Sequence, residues 1–185
     1  MKAWSRDGQN IVTELTQHEA QMVRFMVDQI KELLTMRFRD HPQDELSELT
    51  GIRTGPSSKP EDPMLARLLP DFHHDPDYEL AGRDADSAAA LRSMHEPALL
   101  EAKSEVADVV LKTCPEFGGR ITLTPEEAQS WLYALNDVRL ALGTALEISE
   151  DFPDELPEDD PRAGQLDVYQ WLTWMQDSLV GALTA

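Results

Sequence analysis

The residues of this chain best placed to do chemistry as a group are Asn136, Asp137, Arg139 and Gly143. They fall in the stretch WLYALNDVRLALGT, from Trp131 to Thr144. Trp131, Leu135, Val138 and Leu142 repeat at helical spacing and predict one apolar face. Leu132, Asn136, Arg139 and Gly143 form a second stripe beside it, so the spacing predicts a helix covered on both sides. A guanidinium flanked by apolar stripes needs a carboxylate or carbonyls as partners. A mid-helix glycine costs about 1 kcal/mol against alanine, which predicts another backbone packed close. The chemistry on offer is recognition: Arg139 tied to an acid on a neighbouring helix, Asn136 bridging backbone, or the same face turned to a partner or ligand. Asp137 either faces solvent or joins that network.

Other candidates are weaker. Cys114 is the single cysteine, which excludes an internal disulfide framework and any CxxC metal or redox motif. It precedes Pro115 at an expected helix end, where the negative end of the dipole disfavours a thiolate. Only Lys112 and Arg120 stand ready to offset that, so Cys114 is either a redox residue or an inert one near a helix end. His73-His74-Asp75-Pro76-Asp77 has metal-ligand residue types. Adjacent histidines do not readily turn to one ion, and His18, His41 and His95 are scattered singly, so a polar loop is expected there and no metal or cofactor. No GxSxG, HExxH, phosphate-cradling loop or dinucleotide fingerprint is present. The chain therefore reads as a non-enzyme.

The elements that must position these residues are mostly helices. Residues 2–14 read as a small hairpin, with Trp4, Ile11 and Val12 flanking the turn signal Arg6-Asp7-Gly8-Gln9. Thr16 to Glu19 is a capping box that opens a helix to about Arg39. Met22, Met26, Ile30, Leu33 and Leu34 mark its expected buried stripe, widened by Val23, Val27 and Phe38. Residues 40–62 read as a flexible, linker-like insertion, with a short amphipathic turn suggested by Leu46, Leu49 and Ile52. Asp62-Pro63 opens a short helix that Pro70 ends.

A longer helical region follows from about Tyr78 to Lys112. Pro97 predicts a kink or two abutting helices near Glu96. Leu99, Ala102, Val106, Val109 and Val110 are its expected core residues. Arg120 to Leu123 reads as an extended piece that would pair with the hairpin. Thr124 to Glu127 is a second capping box, opening a helix to about Ile148. Residues 150–160, EDFPDELPEDD, carry seven acids and no base. They form an acidic loop, either solvated or docked on a basic partner. A last helix from near Asp160-Pro161 has Val168, Leu172, Met175 and Leu179 on one stripe, with Trp171 and Trp174 beside it as interface candidates. The expected fold is mainly α: a bundle of about five main helices with a small N-terminal β-hairpin, in one domain over residues 1–185.

Composition narrows the function classes. The chain has 185 residues, 41% of them hydrophobic, which is enough for a substantial core. Its formal net charge of −19 argues against nucleic-acid binding by the chain as a whole and against anionic membranes. The first residues, MKAWSRDGQNIV, show no apolar run of the kind a secretory signal carries, so a cytoplasmic location is expected.

Three segments together resemble an actinobacterial family long catalogued only as a domain of unknown function, which includes AosR-type oxidative-stress transcriptional regulators. They are Asp62 to Asp71 (DPMLARLLPD), Trp131 to Thr144, and Tyr169-Gln170-Trp171-Leu172 at the start of the last helix. Their order and spacing agree, so the resemblance covers nearly the whole chain. It implies a cytoplasmic, non-enzymatic regulator of redox-defence genes that works through other transcription proteins, such as a sigma factor. One departure stands out: an internal disulfide switch needs two cysteines. Either this member senses nothing by thiol chemistry, or Cys114 bridges two chains, or it reacts alone.

The expected partner is thus a protein, with a homodimer through the last two helices as a further expectation. The alternatives are direct DNA binding as a dimer and a small-ligand protein or enzyme with an unmarked pocket. For DNA the candidate cations are Arg24, Lys31, Arg37, Arg39, Arg53, Lys59 and Arg67. Acids interleave them, so any contact would be a small patch.

Overall fold

The computed structural model of the protein describes residues 1–39, 54–71, 83–157 and 159–185. Among them are three strands, β1 (Ser5–Asp7), β2 (Asn10–Leu15) and β3 (Gly119–Leu123). The helices are α1 (Gln17–Arg39), α2 (Pro63–Leu68), α3 (Arg83–Thr113), α4 (Pro125–Ala145) and α5 (Ala163–Thr184). The architecture is mainly α, with a small antiparallel sheet in the order β1-β2-β3.

Local chemistry explains most boundaries. The two-residue turn at Gly8-Gln9 joins β1 to β2, pairing Asp7 with Asn10 and Ser5 with Val12. β3 returns from far along the chain to pair with β2, Ile11 opposite Leu123 and Thr13 opposite Ile121. Alternation then puts Ile11, Thr13, Leu15, Ile121 and Leu123 on one buried face. Both capping boxes form. The Thr16 amide donates to Glu19 at 2.7 Å, and the Glu19 amide donates to the Thr16 hydroxyl at 3.3 Å. The Thr124 amide donates to Glu127 at 2.9 Å, and the Glu127 amide to the Thr124 hydroxyl at 3.2 Å. Asp62 caps α2 by accepting from the Leu65 amide at 2.9 Å.

Helix α4 is the centre of the molecule. It touches all four other helices and both β2 and β3. Trp131 is fully buried on it, with the Trp4 ring edge-on at 5.4 Å and the indole N–H donating to Thr113 at 2.7 Å. The helix ends at Ala145, slightly earlier than its apolar pattern predicted.

Three expectations need correction. The buried stripe of α1 is Ala20, Val23, Val27, Ile30 and Leu34. Met22, Met26 and Leu33 lie half-buried at its edge and Phe38 is exposed. Met26 and Leu33 pack against the core from its edge. On α3 the core positions are Leu100, Ala107 and Val110, while Ala102 is exposed. Lys103 shares that inward face because it has an acid to meet there. Finally, Pro97 does not divide α3, which runs unbroken from Arg83 to Thr113. The segment at Gly55 supplies the hydrogen bond that the proline removes. This end of the linker-like stretch is fixed, with Gly55, Pro56 and Pro60 buried. The amphipathic turn at Leu46 to Ile52 and the helix start near Tyr78 lie outside the described residues.

Candidate functional site

The candidate site is a cleft at the C-terminal end of α4. The capping box at Thr124 sets where α4 starts and therefore how its faces turn. Four-residue steps then stack Arg139 and Gly143 on one side, with Leu140 and Thr144 next to them. Helix α2 brings Arg67 to the same cleft and α5 brings Tyr169. The Arg139 guanidinium carbon lies 5.9 Å from the centre of the Tyr169 ring, over its face. The ring also packs on Gly143: a β-carbon there would stand 3.2 Å from Tyr169 Cε2.

Glu147 and Ile148 close the cleft at the end of α4. The Ile148 amide donates to the Gly143 carbonyl at 2.9 Å and the Glu147 amide to the Thr144 carbonyl at 3.1 Å. This is a Schellman helix stop, whose left-handed position usually carries glycine. Here it carries Glu147, with φ +57°. The cleft is open to solvent on one side and its space is about 540 Å³, within the range of small-molecule sites. The Thr144 hydroxyl is committed as donor to the Leu140 carbonyl at 2.9 Å.

The family model described as "Domain of unknown function (DUF2017)" matches residues 1–183. The chain belongs to that family. Two curated relatives carry the name oxidative stress regulator AosR, from Mycobacterium tuberculosis and Mycobacterium bovis. Each is 44% identical over 181 residues, covering 95% of this chain and 83% of the relative. A putative oxidative stress regulator AosR of Mycobacterium leprae is 42% identical over 194 residues, covering 100% of this chain and 89% of its own. No solved structure matches. The three segments that carry the family resemblance all reach the cleft. Arg67 comes from the first, Arg139, Leu140, Gly143 and Thr144 from the second, and Tyr169 from the third.

The four residues expected to form one face of α4 are divided between two surroundings. Arg139 and Gly143 belong to the cleft. Among the described residues Arg139 meets the Tyr169 ring rather than an acid, and what packs on Gly143 is that ring rather than a backbone. Asp137 is buried on another side of α4 and pairs with Lys103 of α3 at 2.6 Å. Burial pushes its carboxyl above the ordinary value, and Lys103 pulls it back only in part. Asn136 is half-buried between these two sides.

Cys114 is 2% exposed, with its thiol 3.8 Å from the Ala20 carbonyl. Burial pushes its pKa up to about 11, against a smaller opposing pull from Arg24. Arg24 also donates to the carbonyls of Leu111 and Cys114, at 2.5 and 2.7 Å, and so closes the end of α3. Such a thiol is a poor nucleophile while the fold is closed. On α5, Trp171 is half-buried and Trp174 is 43% exposed. The stretch His73 to Asp77 lies outside the described residues. Within them no group of three His, Cys, Asp or Glu could hold a metal, and no helix is long and apolar enough to cross a membrane.

One charge network escaped the sequence reading. Arg92 and Glu96 are both buried on α3 and pair at 2.7 Å. Arg92 also reaches Asp71 at 2.7 Å and the Leu69 carbonyl at 3.1 Å. Arg37 of α1 reaches Glu96 at 2.8 Å and the Ser58 carbonyl at 2.6 Å, and Lys59 pairs with Asp71. The network ties residues 58–71 to α1 and α3. Its available signal was the four-residue spacing of Arg92 and Glu96 just before Pro97.

Proposed function

We propose that this protein is a non-enzymatic, cytoplasmic regulator of the transcriptional response to oxidative stress, acting by contact with other proteins of the transcription machinery, such as a sigma factor. The regulatory part rests on the relatives named oxidative stress regulators, which match over almost the whole chain. The protein-contact part rests on one observation. Trp174 stands 43% exposed on α5, while Leu172, Met175 and Leu179 around it are fully buried. Tryptophan is a common anchor of protein interfaces. A homodimer through the last two helices would use the same anchor.

Four of the seven cations expected to serve a DNA contact speak against the alternative. Arg24 pairs with Glu116, Lys31 with Asp108, Arg37 with Glu96 and Lys59 with Asp71. Cations held by acids of their own chain offer little to phosphates. An anisotropy titration with promoter DNA at low salt tests the reading. No binding by the protein alone is expected. Binding that weakens steeply with added salt would overturn it in favour of direct DNA recognition.

A further inference from the structure

We propose that the cleft between α2, α4 and α5 binds a small molecule through an acidic group, a carboxylate or a phosphate, held jointly by Arg67 and Arg139. This goes beyond the protein-contact reading and does not depend on it. In a chain of net charge −19, two guanidinium groups from different helices line one cleft. Among the described residues, neither has a carboxylate within ion-pair distance, whereas nine other Lys and Arg side chains do. Arg6, Arg39 and Lys112 likewise lack an acid partner there, but Arg67 and Arg139 come from two helices to line the same cleft, and a shared anionic ligand accounts for that pairing.

The geometry suits such a ligand. The Arg139 guanidinium carbon sits over the Tyr169 ring at 5.9 Å, a contact that uses the ring face and no N–H donor hydrogen bond, and a guanidinium can offer bidentate hydrogen bonds to an oxyanion. Gly143 allows that arrangement, because any side chain at this position would crowd the ring. Arg67 is exposed at the rim and adds the second charge. Glu147 also lines the cleft, and its carboxylate opposes a fully anionic ligand. The ligand class is therefore one with a single acidic head rather than a polyanion. The volume of about 540 Å³ fits a small molecule.

The test is titration calorimetry of the full chain with inorganic phosphate and, separately, with acetate. Both run against chloride at matched ionic strength, because phosphate also acts as a general stabilising salt. Amide resonances of Gly143 and Thr144 are followed in parallel. Saturable binding that shifts both resonances is expected from at least one anion, and which one separates a phosphoryl from a carboxylate ligand. Arg67→Gln and Arg139→Gln should each weaken that binding by about tenfold, as loss of a charge-assisted hydrogen bond predicts. Arg39→Gln, an exposed arginine away from the cleft, should leave it unchanged. Arg67 is exposed, so its variant keeps the test valid even if the Arg139 variant folds poorly. Equal titrations in wild type and the Arg67 variant would overturn the proposal. So would no saturable binding of either anion.

Discussion

The Gly55 amide donates to the Ser93 carbonyl at 2.7 Å, the carbonyl that Pro97 leaves without its helical donor. The Ser93 hydroxyl returns a hydrogen bond to the Gly55 carbonyl at 2.9 Å. Loop and helix thus repair each other, and α3 continues through its proline. The fit requires glycine, since a β-carbon at Gly55 would stand 3.0 Å from both Cγ and Cδ of Pro97. Gly55→Ala should lower stability by about 1–3 kcal/mol, the usual cost of overpacking. Urea unfolding curves check this; an unchanged midpoint would mean the loop shifts freely.

Asp137 and Asp71 should show opposite pH signatures. Burial raises the Asp137 pKa despite Lys103, so the folded state holds that proton more tightly than the unfolded chain. Its contribution falls as pH rises from the unfolded value of about 3.9 through the raised folded value. Asp71 is pushed up by burial, but hydrogen bonds and charge from Lys59 and Arg92 outweigh this and leave it lowered. Its stabilisation is present above about pH 3.9 and is lost as pH falls through its folded value. Asp137→Asn should therefore compare more favourably with wild type at neutral pH than in acid. Asp71→Asn should compare less favourably at neutral pH than in acid. Unfolding free energies across the acid range check both signs.

Cys114 should be silent as a thiol. With its pKa at about 11 and its side chain buried, it should react with a disulfide reagent far more slowly in the native protein than in denaturant. Absorbance of the released thiolate gives both rates. Equal rates would show that the site opens readily and would restore a redox role.

Glu147 holds a left-handed conformation that costs a non-glycine residue about 1–2 kcal/mol. Glu147→Gly should raise the melting temperature by relieving it. A fall would mean that the Glu147 side chain makes a stabilising contact worth more than the strain.

The parts of this fold that were legible in the sequence are those fixed by neighbours in the chain. Thr16, Asp62 and Thr124 cap their helices because the amides they accept from lie three residues away. The return of β3 to the hairpin followed from apolar alternation at Ile121 and Leu123. Helix rotation was less legible, because it depends on what packs from outside. Val23 rather than Met22 is buried, and Lys103 faces inward because Asp137 waits on another helix. The cleft was half visible. The spacing of Arg139 and Gly143 calls for something packed against them, but Tyr169 answers both from α5, at a distance no local pattern records. Arg67 reached the cleft unnoticed because a lone exposed arginine on a short helix carries no spacing signal.

The most direct measurement is gel filtration of the protein mixed with purified RNA polymerase and a sigma factor, comparing wild type with Trp174→Ala. A complex with one of them is expected, weakened in the variant while its melting temperature stays near wild type, since Trp174 is 43% exposed. Elution apart from both proteins, or a complex indifferent to Trp174, would contradict it.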